Sequence, residues 1–118
     1  MSTLTFDQLR EANIQRLPLY RNANGDIVHS KTDGSDWTPA EWFEALIGEL
    51  GEYANIRKKF RRGDMSFTEF ATLGGKELAD AQVYLDLLAY QFRMDLGQIT
   101  KEKFNEVSVR VGARVFIP

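Results

Sequence analysis

The segment from Lys76 to Asp95 is apolar on nearly every side of a helix, and it constrains the fold more than any other part of the chain. Its large apolar residues are too frequent to share one stripe at the helical repeat; they are Val83, Tyr84, Leu85, Leu87, Leu88, Tyr90, Phe92 and Met94. A helix of this kind is buried at the centre of a bundle or in a subunit interface. We therefore expect an all-α fold built around this segment.

Capping residues predict four further helices around this central one. The first helix opens with the capping box Thr5–Gln8 and ends at Pro18, and the second opens with Thr38-Pro39-Ala40-Glu41 and ends at Gly63. A short third helix opens at Ser66 and is broken by Gly74-Gly75. The last helix runs from about Ile99 to Val111, with Gly112 as its stop. Gly97 is expected to end the central helix, and residues 21–36 to form a loop with a turn at Asn24-Gly25. We expect one domain over residues 1–118, with its core at about 37–112, in a four- to five-helix bundle that oligomerisation completes.

Two pairs of acids lie on two of the predicted helices. Glu49 and Glu52 are three residues apart on the second helix, and Glu77 and Asp80 are three apart on the central one. Residues at i and i+3 are neighbours on a helix surface, so each pair presents its carboxylates together, and such close like charges repel unless a cation lies between them. Face-to-face packing of the two helices would bring four carboxylates to one point, an all-oxygen ligand set that suits Mg²⁺ or Mn²⁺.

The alternative is that these acids are ordinary solvated residues, as most helical carboxylates are. The central helix, however, has a separate polar stripe of Gln82, Asp86 and Arg93, roughly opposite Asp80 at ~100° per residue. Exposure of that stripe would leave Glu77 and Asp80 turned inward, and it makes Asp86 a predicted surface acid rather than a ligand. No histidine accompanies the acids, which argues against a di-iron bundle of the Glu-x-x-His type.

The sequence around the acids resembles a known family. Ala45-Leu-Ile-Gly-Glu49-Leu-Gly-Glu52-Tyr-Ala54 is followed by Glu77-Leu-Ala-Asp80, with 24 residues between Glu52 and Glu77, and then by Lys101-Glu-Lys-Phe-Asn105. This order resembles the ExxE…ExxD signature and the trailing KxxxN element of the MazG-like, all-α nucleoside triphosphate pyrophosphohydrolases, over about Trp37 to Gly112. Many members have a further acid where this chain has Gly48, which puts in doubt any mechanism that needs a fifth carboxylate.

The resemblance implies Mg²⁺-dependent cleavage of a nucleoside triphosphate between its α and β phosphates, giving a monophosphate and pyrophosphate. Relatives of this kind include dimeric dUTPases, dCTP pyrophosphatases and phosphoribosyl-ATP pyrophosphohydrolases. Glu49, Glu52, Glu77 and Asp80 would hold Mg²⁺, with Mn²⁺ as a substitute. The chemistry agrees, because metal ions between the acids would reverse the repulsion of a triphosphate and lower the pKa of a bound water. Glu49 and Glu52 are both candidates for the base that activates this water.

Four residues outside the acid pairs are candidate substrate contacts. Lys101 and Asn105 share one face of the last helix and would contact phosphate or sugar. Lys59, in the basic run that ends the second helix, is the preferred phosphate contact. Trp42 lies about 10 Å before the first acid pair on the same face and is a candidate for stacking on a base. The alternatives are surface exposure for the polar residues, a favourable helix-dipole interaction for Lys59, and core packing for Trp42.

Composition excludes several other functions. The chain has no cysteine and one histidine, His29, which removes thiol catalysis, cysteine-based metal sites and disulfides and disfavours a Ser-His-Asp arrangement. A formal net charge of −2 gives no reason to expect non-specific nucleic-acid binding. The first ten residues lack the pattern of a secretory signal, and no apolar run approaches membrane-spanning length, so we expect a cytoplasmic protein with no membrane partner.

Two other functions remain as alternatives. A helical module that kept the fold and lost catalysis would bind a nucleotide or a protein without turnover, although four mutually repelling acids argue against a retired site. A nucleic-acid binder would use the basic run from Arg57 to Arg62 and show a steep salt dependence. The preferred hypothesis is a homodimeric or homotetrameric nucleoside triphosphate pyrophosphohydrolase that cleanses the nucleotide pool, with its preferred base left open.

Overall fold

The computed structural model describes residues 2–28 and 36–118, which form four α-helices and one short 3₁₀-helix. In chain order the helices are α1 (Phe6–Arg16), the 3₁₀-helix Leu17–Leu19, α2 (Pro39–Arg61), α3 (Phe67–Gln91) and α4 (Leu96–Val111). The expected all-α class is confirmed. Within the described ranges, no helix combines the length and the apolar character needed to cross a membrane.

Most of the predicted helix starts and stops are present. The Thr5 hydroxyl accepts a hydrogen bond from the Gln8 amide at 3.1 Å, and the Gln8 side chain accepts one from the Thr5 amide at 2.8 Å. The Thr38 amide donates to the Glu41 carboxylate at 3.3 Å. Gly63 and Gly112 follow their helices at φ values of 84° and 71°, a left-handed conformation that glycine adopts without steric cost.

The predicted turn at Asn24-Gly25 is also present. The Asn22 amide donates to the Asp26 carbonyl at 3.0 Å, and an isolated antiparallel bridge joins Arg21 to Ile27 on either side of the turn. His29 and the loop as far as residue 35 lie outside the described residues.

Helices α2 and α3 form an antiparallel hairpin that is held by aromatic and aliphatic contacts at both ends. Near the turn, the rings of Phe60 and Phe70 stack with their centroids 4.7 Å apart. At the far end, the fully buried side chains of Trp42 and Leu87 pack with Leu17 from the 3₁₀-helix. The middle of the hairpin lies between these two apolar layers.

The prediction that Gly74-Gly75 breaks a helix is wrong, because α3 runs through both residues without interruption. Two glycines cost about 2 kcal/mol of helix propensity relative to alanine. Close packing offsets this cost: Gly74 is buried, and a Cβ built there would lie 3.4 Å from ring atoms of both Phe70 and Tyr53. The short third helix and the central helix are therefore one element of 25 residues.

The prediction that Gly97 ends the central helix is also wrong. Helix α3 ends at Gln91, and Gly97 lies in the first turn of α4, which Asp95 caps by accepting from the Gln98 amide at 3.1 Å. The residue that reverses the chain is Arg93, with φ 57°, and its guanidinium lies 4.1 Å from the ring centroid of Tyr90. A non-glycine residue in this conformation gives no signal in the sequence.

Asp86 is not the surface acid that the polar stripe predicts. It is 1% exposed and receives hydrogen bonds from the Arg10 Nε at 3.1 Å and from the Asn13 amide at 2.9 Å. Arg10 also donates to the Met94 carbonyl at 2.7 Å. This cluster joins α1 to α3 and to the segment that follows it.

Because the Asp86 carboxylate is buried, removing its cationic partner should be costly. We expect Arg10→Met to lower the free energy of unfolding by about 3–5 kcal/mol, since it leaves an uncompensated buried charge. Arg62→Met removes the exposed ion pair with Asp64 and should cost less than about 1 kcal/mol. Urea unfolding of the two variants measures the difference, and equal losses would contradict the structural role assigned to Asp86.

Candidate metal centre

The two predicted acid pairs face each other in the middle of the α2–α3 hairpin. Glu49, Glu52 and Glu77 each contribute a carboxylate oxygen to a group whose members lie within 4.8 Å of one another. We call these three residues the carboxylate cluster. Glu49 and Glu77 are partly buried, whereas Glu52 is exposed. The predicted convergence of the two helices on one point is therefore present for three of the four acids.

Two oxygens of the carboxylate cluster are buried without a hydrogen bond. Glu49 Oε2 and Glu77 Oε2 have no partner among the residues that the structure describes. Buried acceptors are nearly always satisfied by a donor, an ordered water or an ion, because leaving them unpaired costs the desolvation energy of the group. The two orphaned oxygens therefore leave this position open to a cation, a proton or a water.

The fourth predicted ligand, Asp80, lies beside the cluster rather than within it. It lines a cavity together with Glu49, and its negative charge contributes to raising the pKa of Glu49. Its side chain is exposed. Asp80 therefore lies next to the position where the three acids of the carboxylate cluster would share a cation.

Burial and mutual repulsion both affect the protonation of the cluster. Burial raises the pKa of Glu49 to about 7, assisted by the close approach of the Glu77 carboxylate and by the charges of Glu52, Asp80 and Glu77. The close approach and the charge of Glu77 also raise the pKa of Glu52, while its contact with Glu49 acts in the opposite direction. At neutral pH the cluster would therefore share a proton, and a divalent cation could replace that proton.

The donor set of the cluster fits a hard divalent cation. All its ligand atoms are carboxylate oxygens, which suit Mg²⁺ and Mn²⁺ and suit zinc poorly. Mg²⁺ usually binds through a few carboxylates while it keeps several waters or substrate phosphates. The exposure of Glu52 and Asp80 leaves one side of the cluster open for such ligands.

Trp42, the candidate for base stacking, is placed in the core. Its side chain is 0% exposed, and its ring lies 4.9 Å from that of Trp37 and 6.1 Å from that of Tyr84, measured between centroids. Trp42 is therefore a core residue, as the alternative interpretation of its position predicts. Stacking on a base would require this core to open.

The predicted phosphate contacts do not gather at the carboxylate cluster. Lys59 is exposed at the C-terminal end of α2, two turns beyond Glu52. Lys101 lines a cavity between the start of α1 and the C-terminal tail, and no acid of the cluster is among the residues lining it. The Asn105 amide donates to the Ile117 carbonyl at 2.9 Å and accepts from its amide at 2.8 Å, so these bonds hold its side chain against the C-terminal tail.

Sequence reasoning missed two residues near the site. Arg16 and Tyr20 line the cavity that also contains Glu49 and Asp80. They reach it from the end of α1 and the residue after the 3₁₀-helix, about thirty positions before the first acid pair. No spacing rule relates segments this far apart, so only the tertiary fold brings them together.

Comparisons with models of known protein families, with curated proteins and with solved structures find no match to this chain.

The protonation of Glu49 predicts how stability depends on pH in the absence of metal. A pKa near 7 in the folded state, against about 4.5 in the unfolded chain, means that the folded state holds the extra proton between these values. Stability due to this group should be present below about pH 4.5 and be lost as the pH rises through about 7. In EDTA, the unfolding midpoint should fall less between about pH 5 and pH 8 in Glu49→Gln than in the wild type.

The exposed acid Glu44 on the same helix offers a matched control. Glu44→Gln should retain the wild-type slope, because Glu44 is not part of the carboxylate cluster. Added Mg²⁺ or Mn²⁺ should raise the wild-type midpoint more at pH 8 than at pH 5, since bound metal requires ionised ligands. Identical slopes in Glu49→Gln and the wild type would contradict the arrangement.

Proposed function

We propose that this chain is a Mg²⁺-dependent nucleoside triphosphate pyrophosphohydrolase of the MazG-like type. It would cleave the α–β phosphoanhydride bond of a (d)NTP to give a (d)NMP and pyrophosphate, and so cleanse the cytoplasmic nucleotide pool. The observation that carries the proposal is the convergence of Glu49, Glu52 and Glu77 from two helices, with two buried oxygens lacking hydrogen-bond partners. The ExxE…ExxD order of the acids in the sequence supports the same conclusion.

Each group near the cluster has a defined part in this chemistry. Glu49, Glu52, Glu77 and Asp80 would hold the metal, which neutralises charge on the phosphoryl oxygens and lowers the pKa of a bound water. Without that cation, the acids would repel a triphosphate. Glu49 and Glu52 remain the candidate bases, because their carboxylate oxygens lie within reach of the same point.

Pyrophosphate release is the direct test of this proposal. With Mg²⁺ present, the wild type should release pyrophosphate, rather than inorganic phosphate, from at least one of a panel of dNTPs, NTPs and oxidised or deaminated analogues. Glu77→Gln should lower kcat/KM by about 100-fold or more, because losing ~3 kcal/mol of transition-state stabilisation has that effect. A luminescent pyrophosphate assay with purified protein measures both.

Glu44→Gln is again the control and should keep at least about half of the wild-type rate, since Glu44 is exposed and lies outside the carboxylate cluster. Full activity in Glu77→Gln, or no pyrophosphate from any substrate, would contradict the proposal. Nucleotide binding by calorimetry without any product would instead favour the non-catalytic binding module.

We further propose that the chain works as a homo-oligomer. Its radius of gyration is 17.3 Å, whereas a compact domain of this length has about 13.5 Å. Its accessible surface is 8510 Å², against about 6,500 Å² for a compact monomer of this mass. The excess of about 2,000 Å² per chain matches what obligate homodimers bury.

The exposed apolar residues lie at helical spacing, as in a helix–helix interface. On α2, Phe43, Ile47 and Leu50 are exposed at positions i, i+4 and i+7. On α4, an apolar groove of about 650 Å³ includes Phe104 and Val111. A second copy of the chain is the occupant that accounts for surfaces of this size on several helices.

The molar mass in solution tests the oligomeric proposal. Sedimentation equilibrium should give two or four times the 13.5 kDa of one chain. Ile47→Asp places a charge in the exposed stripe of α2 and should weaken assembly at least about tenfold, whereas Leu4→Asp, outside any helix, should leave it unchanged. A monomeric wild type at micromolar concentration would contradict the proposal.

A further inference from the structure

A cavity of about 270 Å³ adjoins the carboxylate cluster on the side of α1. Its lining residues come from the end of α1, the residue after the 3₁₀-helix, α2 and α3; they are Arg16, Tyr20, Glu49, Asp80, Val83 and Tyr84. The cavity is smaller than the ~300–1,000 Å³ of pockets that enclose a drug-sized ligand. Its size suits one end of a nucleotide rather than the whole molecule.

The aromatic walls of this cavity are fixed by the protein core. Tyr20, Val83 and Tyr84 are partly buried against the core cluster of Leu17, Trp42 and Leu87. The ring of Tyr84 lies against that of Trp42, with 6.1 Å between centroids. Flat aromatic walls that pack against the core favour a planar ligand, since stacking then costs little conformational entropy.

Among the described residues, Arg16 is the one cationic side chain that lines the cavity. Its guanidinium carbon lies 5.6 Å from the ring centroid of Tyr20, and it has no carboxylate at ion-pair distance among the residues that the structure describes. Burial raises the pKa of Tyr84, assisted by Tyr20, Glu49 and Asp80, and the charge of Arg16 opposes this rise. Arg16 lines the same cavity as Tyr84, so its guanidinium adjoins a group bound there.

Charge decides which end of a nucleotide suits the cavity. With Glu49 and Asp80 occupied by the metal, Arg16 is the only other charged side chain among the described lining residues, so the cavity offers few partners for the charges of the β and γ phosphates. Basic residues instead lie beyond the carboxylate cluster, in the last turn of α2, where Lys58, Lys59 and Arg61 are exposed. A nucleotide would thus lie with its base towards α1 and its β and γ phosphates towards the end of α2.

We propose that the cavity binds the nucleoside of the substrate, and that Arg16 donates hydrogen bonds to a carbonyl group on its base. This inference rests on the proposed function, because it takes the carboxylate cluster as the position of the phosphates. A guanidinium offers only donors, arranged as a planar fork that matches adjacent acceptors such as guanine O6 and N7. Adenine presents an amino group instead of a carbonyl, so Arg16 selects guanine, thymine or uracil over adenine.

Binding of the reaction products tests this selection without turnover. Calorimetric titrations with dGMP, dTMP and dAMP in the presence of Mg²⁺ should give tighter binding of dGMP and dTMP in the wild type. Arg16→Met should weaken both by about tenfold, the effect of losing a hydrogen bond from a charged donor, and change dAMP by less than about twofold. Arg16→Lys keeps the charge but loses the planar fork, and should also lose the preference for dGMP over dAMP.

Arg110→Met is the matched control, because Arg110 is likewise an exposed arginine in the last turn of its helix. It should leave all three affinities unchanged. A parallel loss for dGMP, dTMP and dAMP in Arg16→Met would overturn the inference by showing that Arg16 contacts phosphate. Unchanged affinities in that variant, or no binding of any monophosphate to the wild type, would overturn it as well.

The same proteins separate this inference from the proposed function. If the wild type releases pyrophosphate and Glu77→Gln does not, while the kcat/KM ratio of dGTP to dATP is unaffected by Arg16→Met, only the nucleoside cavity is wrong. If no dNTP yields pyrophosphate, the proposed function itself fails.

Discussion

The α2–α3 hairpin holds a layer of acids between two layers of tightly packed apolar side chains, and the other features are placed relative to that layer. On one side Phe60 and Phe70 stack near the turn, and on the other Trp42 and Leu87 are fully buried. The helices cannot separate at the acids without disrupting both apolar layers. The carboxylate cluster therefore stays together despite its like charges, and a proton or a divalent cation must relieve the repulsion.

Two different solutions for buried acids occur on α3. Asp86 is neutralised within the chain, since Arg10 and Asn13 satisfy its carboxylate and tie α1 to α3. Glu77, about two and a half turns earlier on the same helix, faces other acids and has a buried oxygen with no partner among the described residues. A self-contained ion pair serves the fold, whereas an uncompensated cluster is suited to bind a cation from solution.

Local signals predicted much of the fold and part of the candidate site. The capping box at Thr5 and the Gly63 and Gly112 stops depend on residues a few positions apart, and they are present. Of the two i, i+3 acid pairs, three members come together and Asp80 lies beside them. The prediction of a break at Gly74-Gly75 is wrong, because Gly74 packs against Tyr53 from another helix and neighbours in the sequence do not reveal this contact. Asp86 was misplaced because its partners lie more than seventy residues away, and Arg16 and Tyr20 join the cavity only through the tertiary fold.

The function proposed for the chain requires acids from two helices to enclose a divalent cation. Crystals soaked with Mn²⁺ and measured at the manganese absorption edge should show an anomalous difference peak between the carboxylates of Glu49, Glu52 and Glu77, with Asp80 bordering it. Manganese bound elsewhere on the protein, with these side chains pointing apart, would contradict it.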